Sequence, residues 1–285
     1  MQHFSRGLIA LIVVLGLGGI AYLWWQKQQM QIQAPVAAVE LPSTEPMVQA
    51  PEPPASQAPA NYPIEAVAAL QAASKPLPPL DMQGDAVRDA LIALMGRQSV
   101  LSFFDLDDFA RRMVATIDNL ARPHASVRLW PVVPAPARFL VLERDGQMYV
   151  AKGNADRYSA FVRFASGIDT AGAVALYVRM YPMLQKAYAS LGYPNKQFNN
   201  RLVEVIDHLL QTPEPEKPIT LTLTQVQGPI AVQRPWVRYE YIDPDLQSRS
   251  AGQKILMRMG VPHTQTLKAK LRELRQRIAG QSVGR

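Results

Sequence analysis

Cysteine is absent from the 285 residues of this chain. Its absence excludes disulfide bonds, thiol nucleophiles and metal centres with cysteine ligands. Histidine is also scarce, with four residues, and charged residues make up only 19% of the chain. The sequence lacks a glycine-rich phosphate loop, a paired-histidine metalloprotease motif and a G-x-S-x-G nucleophile elbow. We therefore predict no catalytic residues, no bound metal and no cofactor.

The net charge of +7 is concentrated at the carboxy-terminal end. Residues 253–285 contain eight basic residues and one acidic residue, which account for the whole excess, whereas the rest of the chain is neutral. A nucleic-acid-binding protein more often spreads its basic residues over a face or groove. The charge distribution therefore argues against nucleic acid as a partner.

An uncharged run of 19 residues, at 7–25, stands near the amino terminus. At ~1.5 Å per residue it spans roughly 28 Å, close to the hydrocarbon thickness of a bilayer. Bulky aromatic residues at its end, Tyr22, Trp24 and Trp25, are typical of a membrane interface and do not form a signal-peptidase site. We predict an uncleaved transmembrane anchor at 7–25 with a cytoplasmic leader at 1–6, and a cleaved signal peptide is the alternative.

The next segment, residues 26–80, is rich in proline, alanine and glutamine, with eleven of the 24 prolines between Pro35 and Pro79. Such a composition buries too little apolar surface to fold, and proline favours extended polyproline geometry. We predict a disordered linker. It either holds the following domain away from the membrane or is a linker whose length has no functional consequence.

Hydrophobic periodicity predicts one helix-rich domain at 81–280 and a disordered tail at 281–285. Asp145 and Gly146 lie between two apolar runs and predict a type I′ hairpin. The fold class is α+β, predominantly helical with a small antiparallel sheet. Helices are predicted near 85–96, 105–121, 157–165, 170–191, 196–211, 246–259 and 264–279, and further strands near 219–223 and 236–243.

The predicted helix at 196–211, with Asn195 as its cap, carries Glu204, Asp207 and His208 within one turn. Two carboxylates and an imidazole at this spacing are able to bind a metal or to transfer protons. Apolar residues occupy the opposite face of the helical wheel, however. We therefore interpret the three residues as the solvent-exposed face of an amphipathic helix and keep a site there as the alternative.

The last predicted helix has a narrow leucine stripe flanked by basic residues. One interpretation is that the leucines pack on the core and the cations face water. The other is a contact for an acidic partner, such as anionic lipid, an envelope polymer or an acidic protein face. The candidate contact residues are Lys268, Lys270, Arg272, Arg275 and Arg277.

Three tyrosines recur on the predicted helix at 170–191, namely Tyr177, Tyr181 and Tyr188. This spacing is more typical of core packing than of a ligand cage. A ligand groove between this helix and the hairpin is the alternative.

Several stretches together resemble a known bacterial family, among them TIDNLARPHA at 116–125, PVVPAPARF at 131–139 and SAGQKILMRMG at 250–260. The family is the one catalogued as "domain of unknown function 3014", and the resemblance covers about residues 80–278. It implies an envelope protein with one amino-terminal span and a proline-rich linker. It implies no activity and no catalytic residues.

These features predict a single-pass inner-membrane protein of a Gram-negative-type bacterium, with a cytoplasmic amino terminus and a periplasmic domain. Its predicted role is that of a non-enzymatic interaction or assembly factor. The expected partners are the lipid bilayer, through 7–25, and an unidentified envelope protein or anionic surface. The alternatives are a hydrolase or other enzyme acting on an envelope polymer, centred on Glu204, Asp207 and His208, and a ligand-binding module.

Overall fold

The computed structural model describes residues 61–72, 85–224 and 239–279, all within one compact unit, Gln57–Arg285. The predicted leader at 1–6, the anchor at 7–25 and the tail at 281–285 lie outside the described residues. The same is true of residues 26–60 and 73–80 of the predicted linker.

Helices dominate the described residues, and four short strands form one antiparallel sheet in the order β1-β2-β3-β4. The predicted class, mostly helical with a small antiparallel sheet, is therefore confirmed. In chain order the elements are α1 (Ile64–Ala72), α2 (Ala86–Met95), α3 (Arg97–Phe103), α4 (Phe109–Leu120), β1 (Val141–Arg144), β2 (Gln147–Val150), α5 (Asn154–Gly167), α6 (Thr170–Ser190), α7 (Phe198–Leu210), β3 (Thr220–Leu223), β4 (Tyr239–Tyr241), α8 (Pro244–Gln247), α9 (Ala251–Met259) and α10 (Val261–Ile278).

The predicted hairpin joins β1 to β2. Asp145 and Gly146 have φ of 52° and 71°, the two positive values that a type I′ turn requires. Leu221 of β3 pairs with β2 on one side and with Tyr241 of β4 on the other. Leu221 and Tyr241 are buried against Met257 of α9, so one face of the sheet packs on the helices.

The main core is the cluster of buried apolar side chains that α1, α2, α3, α4, α6, α7 and α10 share. Helix α6 contributes the largest number of them and continues through Pro182. The carboxylate of Asp169 caps this helix by accepting from the backbone nitrogen of Gly172 at 2.7 Å. A second cluster joins α5, α7 and α9 through Val162, Val205 and Leu256.

Helix α1 lies inside the segment predicted as linker, and this part of the linker prediction is wrong. Val67 is fully buried, and Tyr62 and Ile64 pack against the same main core. The high proline content of residues 26–80 hid a proline-free stretch at 64–75 that follows Pro63, and proline favours helix starts. The folded domain therefore begins before residue 81.

The helix predicted at 246–259 is two helices, α8 and α9. Ser250 and Gln253 form a capping box, in which the Ser250 hydroxyl accepts from the Gln253 backbone nitrogen and the Gln253 side chain accepts from the Ser250 nitrogen. This reciprocal pair satisfies backbone donors that would otherwise be unpaired, so a new helix starts there.

Two further differences concern helix starts. The helix predicted at 196–211 is α7, which begins at Phe198 with Gln197 in the N-cap position, so Asn195 is not its cap. The helix predicted at 105–121 is α4, which begins at Phe109, and the additional helix α3 precedes it.

Among the described residues, no single helix is both long and apolar enough to span a bilayer. One pair, α5 and α6, reaches the required length and composition only when taken together, and these two helices meet at 82°.

Candidate binding cleft

A polar cleft of about 930 Å³ lies where the segment before α1, the end of α4, the α6–α7 loop and α7 meet. We call it the Tyr193 cleft. Among the described residues, tyrosines, amides and charged side chains line it: Asn61, Tyr62, Arg122, Tyr188, Tyr193, Asn195, Lys196, Gln197, Asn200, Arg201, Glu204 and Asp207.

Two successive asparagines at the start of α7 hold the segment that precedes α1. Asn200 accepts from the backbone nitrogen of Tyr62 at 2.7 Å. The side-chain nitrogen of Asn199 donates to the Tyr62 carbonyl at 2.9 Å and to the Ile278 carbonyl at 3.1 Å. Its oxygen accepts from the Tyr177 hydroxyl at 2.9 Å. One wall of the cleft is therefore fixed by buried hydrogen bonds.

A buried carboxylate, that of Asp118, joins the two arginines of the cleft. It accepts from Arg122 Nη2 at 2.6 Å and from Arg201 Nε at 2.8 Å. Arg201 also donates to the Asp118 carbonyl at 2.9 Å and to Glu204 at 2.7 Å. Asp118 raises the pKa of Arg122, so both its charge and its position are stabilised.

The ring of Tyr193 lies between two cations. Arg122 Nη2 donates to the Tyr193 hydroxyl at 2.6 Å, and Lys196 Nζ lies over the ring at 5.6 Å from its centroid. The ring stacks on the buried ring of Tyr188, with centroids 4.7 Å apart and planes at 25°. Tyr193 is therefore held on its hydroxyl and on one face.

The structure brings Glu204 and Asp207 to the lining of this cleft, where each is bound by an arginine. Glu204 is 68% exposed and pairs with Arg201, while Asp207 accepts from both Nε and Nη2 of Arg275. This bidentate arrangement is the strong form of a guanidinium–carboxylate contact. Within the described ranges, no group of three or more acidic or histidine residues is arranged to hold a metal ion.

His208 does not line the cleft. Its backbone oxygen accepts from Gln253 at 3.1 Å, and its ring nitrogen Nε2 is buried without a partner in the described part of the chain. Burial lowers the pKa of this imidazole, and Arg201 lowers it further. The three residues of the alternative site, Glu204, Asp207 and His208, therefore do not converge on one point.

The basic residues predicted as contacts on α10 have different surroundings. Lys268 is only 6% exposed, and its ammonium group donates to the Thr212 carbonyl at 2.6 Å and to Glu214 at 2.5 Å. A buried lysine cannot contact a partner, so this residue is removed from the predicted contact set. Burial of the lysine follows from its neighbours in space, because Thr212 and Glu214 supply the partners that its charge requires.

The other four contact residues divide into two pairs. Lys270 donates to the Ile168 carbonyl at 2.6 Å and to Thr170 at 2.7 Å, and Arg275 binds Asp207. Arg272 and Arg277 are exposed on the outer face of α10. This helix contacts α1, α5, α6, α7 and α9 on one side, and Arg272 and Arg277 lie on its exposed side.

The three tyrosines of α6 do not form the alternative ligand groove between this helix and the hairpin. Tyr177 and Tyr181 belong to the main core, where their hydroxyls donate to Asn199 and to Gln185 and Gln197. Only Tyr188 reaches a cleft, and that cleft lies beside α7.

Sequence reasoning missed most of the cleft, including Arg122, Tyr193 and Arg201. The contacts that bring them together join Arg122 to Tyr193 and Arg201 to Asp118, 71 and 83 positions apart along the chain, so no local spacing reveals them. One available signal was the Asn199-Asn200 pair at the start of a helix with a strongly apolar face, because buried amides need several partners.

Comparison with known proteins gives one match. Residues 109–275 match the model of a family described as "Protein of unknown function (DUF3014)". No curated protein and no solved structure matches the chain. The matched residues make up more than half of the chain and include all of the cleft except Asn61 and Tyr62. The chain belongs to the DUF3014 family.

Proposed function

We propose that this protein is a single-pass inner-membrane protein that displays a non-enzymatic interaction domain in the periplasm, with the Tyr193 cleft as its contact site. The main support is that Asn61 and Tyr62, at the start of the described domain, line this cleft. A chain that arrives from an anchor at 7–25 thus joins the domain beside the cleft.

A binding role is favoured over catalysis because arginines occupy the carboxylates of the cleft. Asp118, Glu204 and Asp207 each accept from at least one guanidinium group. A general acid or base must instead share its proton or lone pair with the substrate. Among the α10 residues, Arg272 and Arg277 remain candidates for a second contact because they are exposed.

The test is photocrosslinking of the full-length protein in cells, with reporter fusions that determine its topology. A photoreactive residue replaces Asn195, which is exposed at the cleft, and in separate strains Ala269 on the outer face of α10 or Ala160 on α5 as a control. We expect adducts from position 195 above those from position 160. Adducts only from position 269 move the contact to α10. Equal adducts at 195 and 160, or a cytoplasmic reporter, contradict the proposal.

The enzyme alternative keeps one supporting observation, which is that both Glu204 and Asp207 reach the cleft. Its test is complementation of a deletion strain by the triple variant Glu204→Ala, Asp207→Ala and His208→Ala. Full complementation eliminates this centre, whereas loss of function with a folded, correctly inserted protein would revive it.

A further inference from the structure

The lining of the Tyr193 cleft indicates the chemistry of its ligand. Its four amide side chains each offer both donors and acceptors. Sites for apolar small molecules are instead lined mainly by hydrophobic side chains. The cleft therefore suits a ligand with many polar groups that both donate and accept, as the hydroxyls of a saccharide do.

Tyr193 supplies a second feature of a saccharide site, a fixed aromatic ring. Tyr188 supports the ring on one face, and Arg122 holds its hydroxyl. An aromatic ring offers an apolar surface next to a polar group, and a sugar ring likewise has an apolar C–H face bordered by hydroxyls. A ring that is already held loses little conformational entropy when such a ligand stacks on it.

The two cations beside the ring point to an acidic group on the sugar. The Arg122 side chain is 47% exposed, and Lys196 is exposed over the ring. Counted with their ion-pair partners, the described groups of the cleft are four cations, Arg122, Lys196, Arg201 and Arg275, and three carboxylates, Asp118, Glu204 and Asp207. An excess of one positive charge matches one singly charged carboxylate better than a doubly charged phosphate.

We propose that the Tyr193 cleft binds a carboxylate-bearing saccharide. Its carboxylate pairs with Arg122 and Lys196, and its sugar ring takes the position over Tyr193 that the exposed Lys196 ammonium holds in the free protein. This inference rests on the proposed function, because it names the partner of the same contact site.

The test uses the full-length protein in lipid nanodiscs and isothermal titration calorimetry. One probe is a glycan of alternating N-acetylglucosamine and N-acetylmuramic acid without stem peptides, and a second is oligogalacturonate. The matched neutral probe is a chito-oligosaccharide of equal length, which has the same backbone as the first but no carboxylate. We expect an acidic probe to bind at least about 10-fold more tightly than the neutral one, the value of one charge-assisted hydrogen bond.

Variants assign the binding to this cleft. We expect Lys196→Ala and Tyr193→Ala each to weaken binding of the acidic probe about 10-fold. The control Lys186→Ala, which removes an exposed lysine of α6, should leave this binding unchanged. Lys196→Ala should not alter binding of the chito-oligosaccharide. Both lysines are exposed, so neither substitution disturbs the core.

Three results overturn the inference: neither acidic glycan binds, acidic and neutral glycans bind equally, or a poly-glutamate peptide binds as tightly as the glycans. If position 195 still crosslinks to a cell component while the glycans fail to bind, only the saccharide inference is wrong and the proposed function stands. If both experiments fail, the cleft is not a contact site.

Discussion

Asn199 joins the beginning and the end of the described domain through one side chain. Its side chain is fully buried and bonds to the segment before α1, to the last residue of α10 and to the core residue Tyr177. Its neighbour Asn200 binds the same segment from the cleft side. Two adjacent residues of one type thus serve the core and the cleft separately.

Removal of the Asn199 amide should destabilise the domain strongly. Asn199→Ala leaves the Tyr177 hydroxyl and two backbone carbonyls without this partner in a buried position. Unpaired buried groups cost about 1–3 kcal/mol each, so we expect the free energy of unfolding in urea to fall by about 3 kcal/mol. The control Asn195→Ala changes an exposed residue and should stay within about 0.5 kcal/mol. Equal losses would show that Asn199 has no special role.

His208 should make stability depend on pH. Burial lowers its pKa below the ordinary value of 6.5, so below that pH the unfolded chain binds a proton that the folded chain does not. Stability therefore rises with pH through this window and falls as the pH drops below 6.5. His208→Gln should make this fall smaller in urea unfolding series, and His124→Gln, at an exposed histidine, should leave it unchanged. An unchanged fall in the His208 variant contradicts the assignment.

Among the elements, α1 differs most from what the sequence suggested. It has nine residues, too few for a stable isolated helix, so its docking on α6 and α10 must stabilise it. Val67 is the fully buried contact of this docking, and Tyr62 lies at its start. Because Tyr62 also lines the Tyr193 cleft, any displacement of α1 from the main core would move one wall of the cleft.

A charge at the buried face of α1 should release this helix. Val67→Asp places an unpaired carboxylate in an apolar environment, at a cost of roughly several kcal/mol. We expect rapid hydrogen–deuterium exchange of the α1 amides in the full-length protein, with α4 still protected. Ala69→Asp introduces the same charge on the exposed face of α1 and should leave exchange slow. Protection of α1 in both variants would mean that Val67 does not hold it.

Close packing of α9 against α4 and α7 depends on Gly252. A Cβ atom at this position would lie 2.6 Å from Leu209 Cδ2 and 2.8 Å from the Leu120 carbonyl oxygen. Gly252→Ala should therefore lower the unfolding free energy by about 1–3 kcal/mol and reduce the melting temperature. Gly167→Ala, where no atom lies within 4 Å of the new Cβ, should not reduce it. If Gly252→Ala leaves the unfolding free energy unchanged, the helices can move apart at this point at no cost in stability.

At the scale of the whole molecule, the distribution of charge along the sequence did not predict which charged residues are exposed at the surface. The excess of basic residues lies in 253–285, yet Lys268, Lys270 and Arg275 are engaged in contacts with other elements. The exposed residues at 272–277 include one glutamate between two arginines. A count of charges therefore gives the composition of a helix but not the electrostatic field at its exposed surface, where a partner would bind.

Local patterns predicted local structure, and distant pairs could not be predicted. The hairpin at Asp145-Gly146 depends on neighbours a few positions away, so its signal is contained in a short stretch. The pairs that build the cleft are Asp118 with Arg201, 83 positions apart, and Tyr62 with Asn200, 138 positions apart. Only the packing of whole helices brings these together, which no periodicity describes.

The family match is shorter than the folded unit, which leads to a prediction about fragments. Residues 109–275 omit Val67, Leu91, Val100 and Ile278, all of which are buried in the main core. We expect a 109–275 fragment to bind a hydrophobic dye and to lack a cooperative urea transition, whereas a fragment of the compact unit, 57–285, unfolds cooperatively. Equal protease resistance of the two fragments would contradict this expectation.

The shared hydrogen bonds of Asn199 also determine how this domain can be carried by a longer polypeptide. The Tyr62 and Ile278 carbonyls accept from one nitrogen, so the chain enters and leaves the domain at neighbouring points. A domain with adjacent termini can be inserted into a surface loop of another protein without forcing the two halves of the host apart. The same closeness means that a tag or a fused partner placed after residue 278 would sit beside the Tyr62 side of the domain.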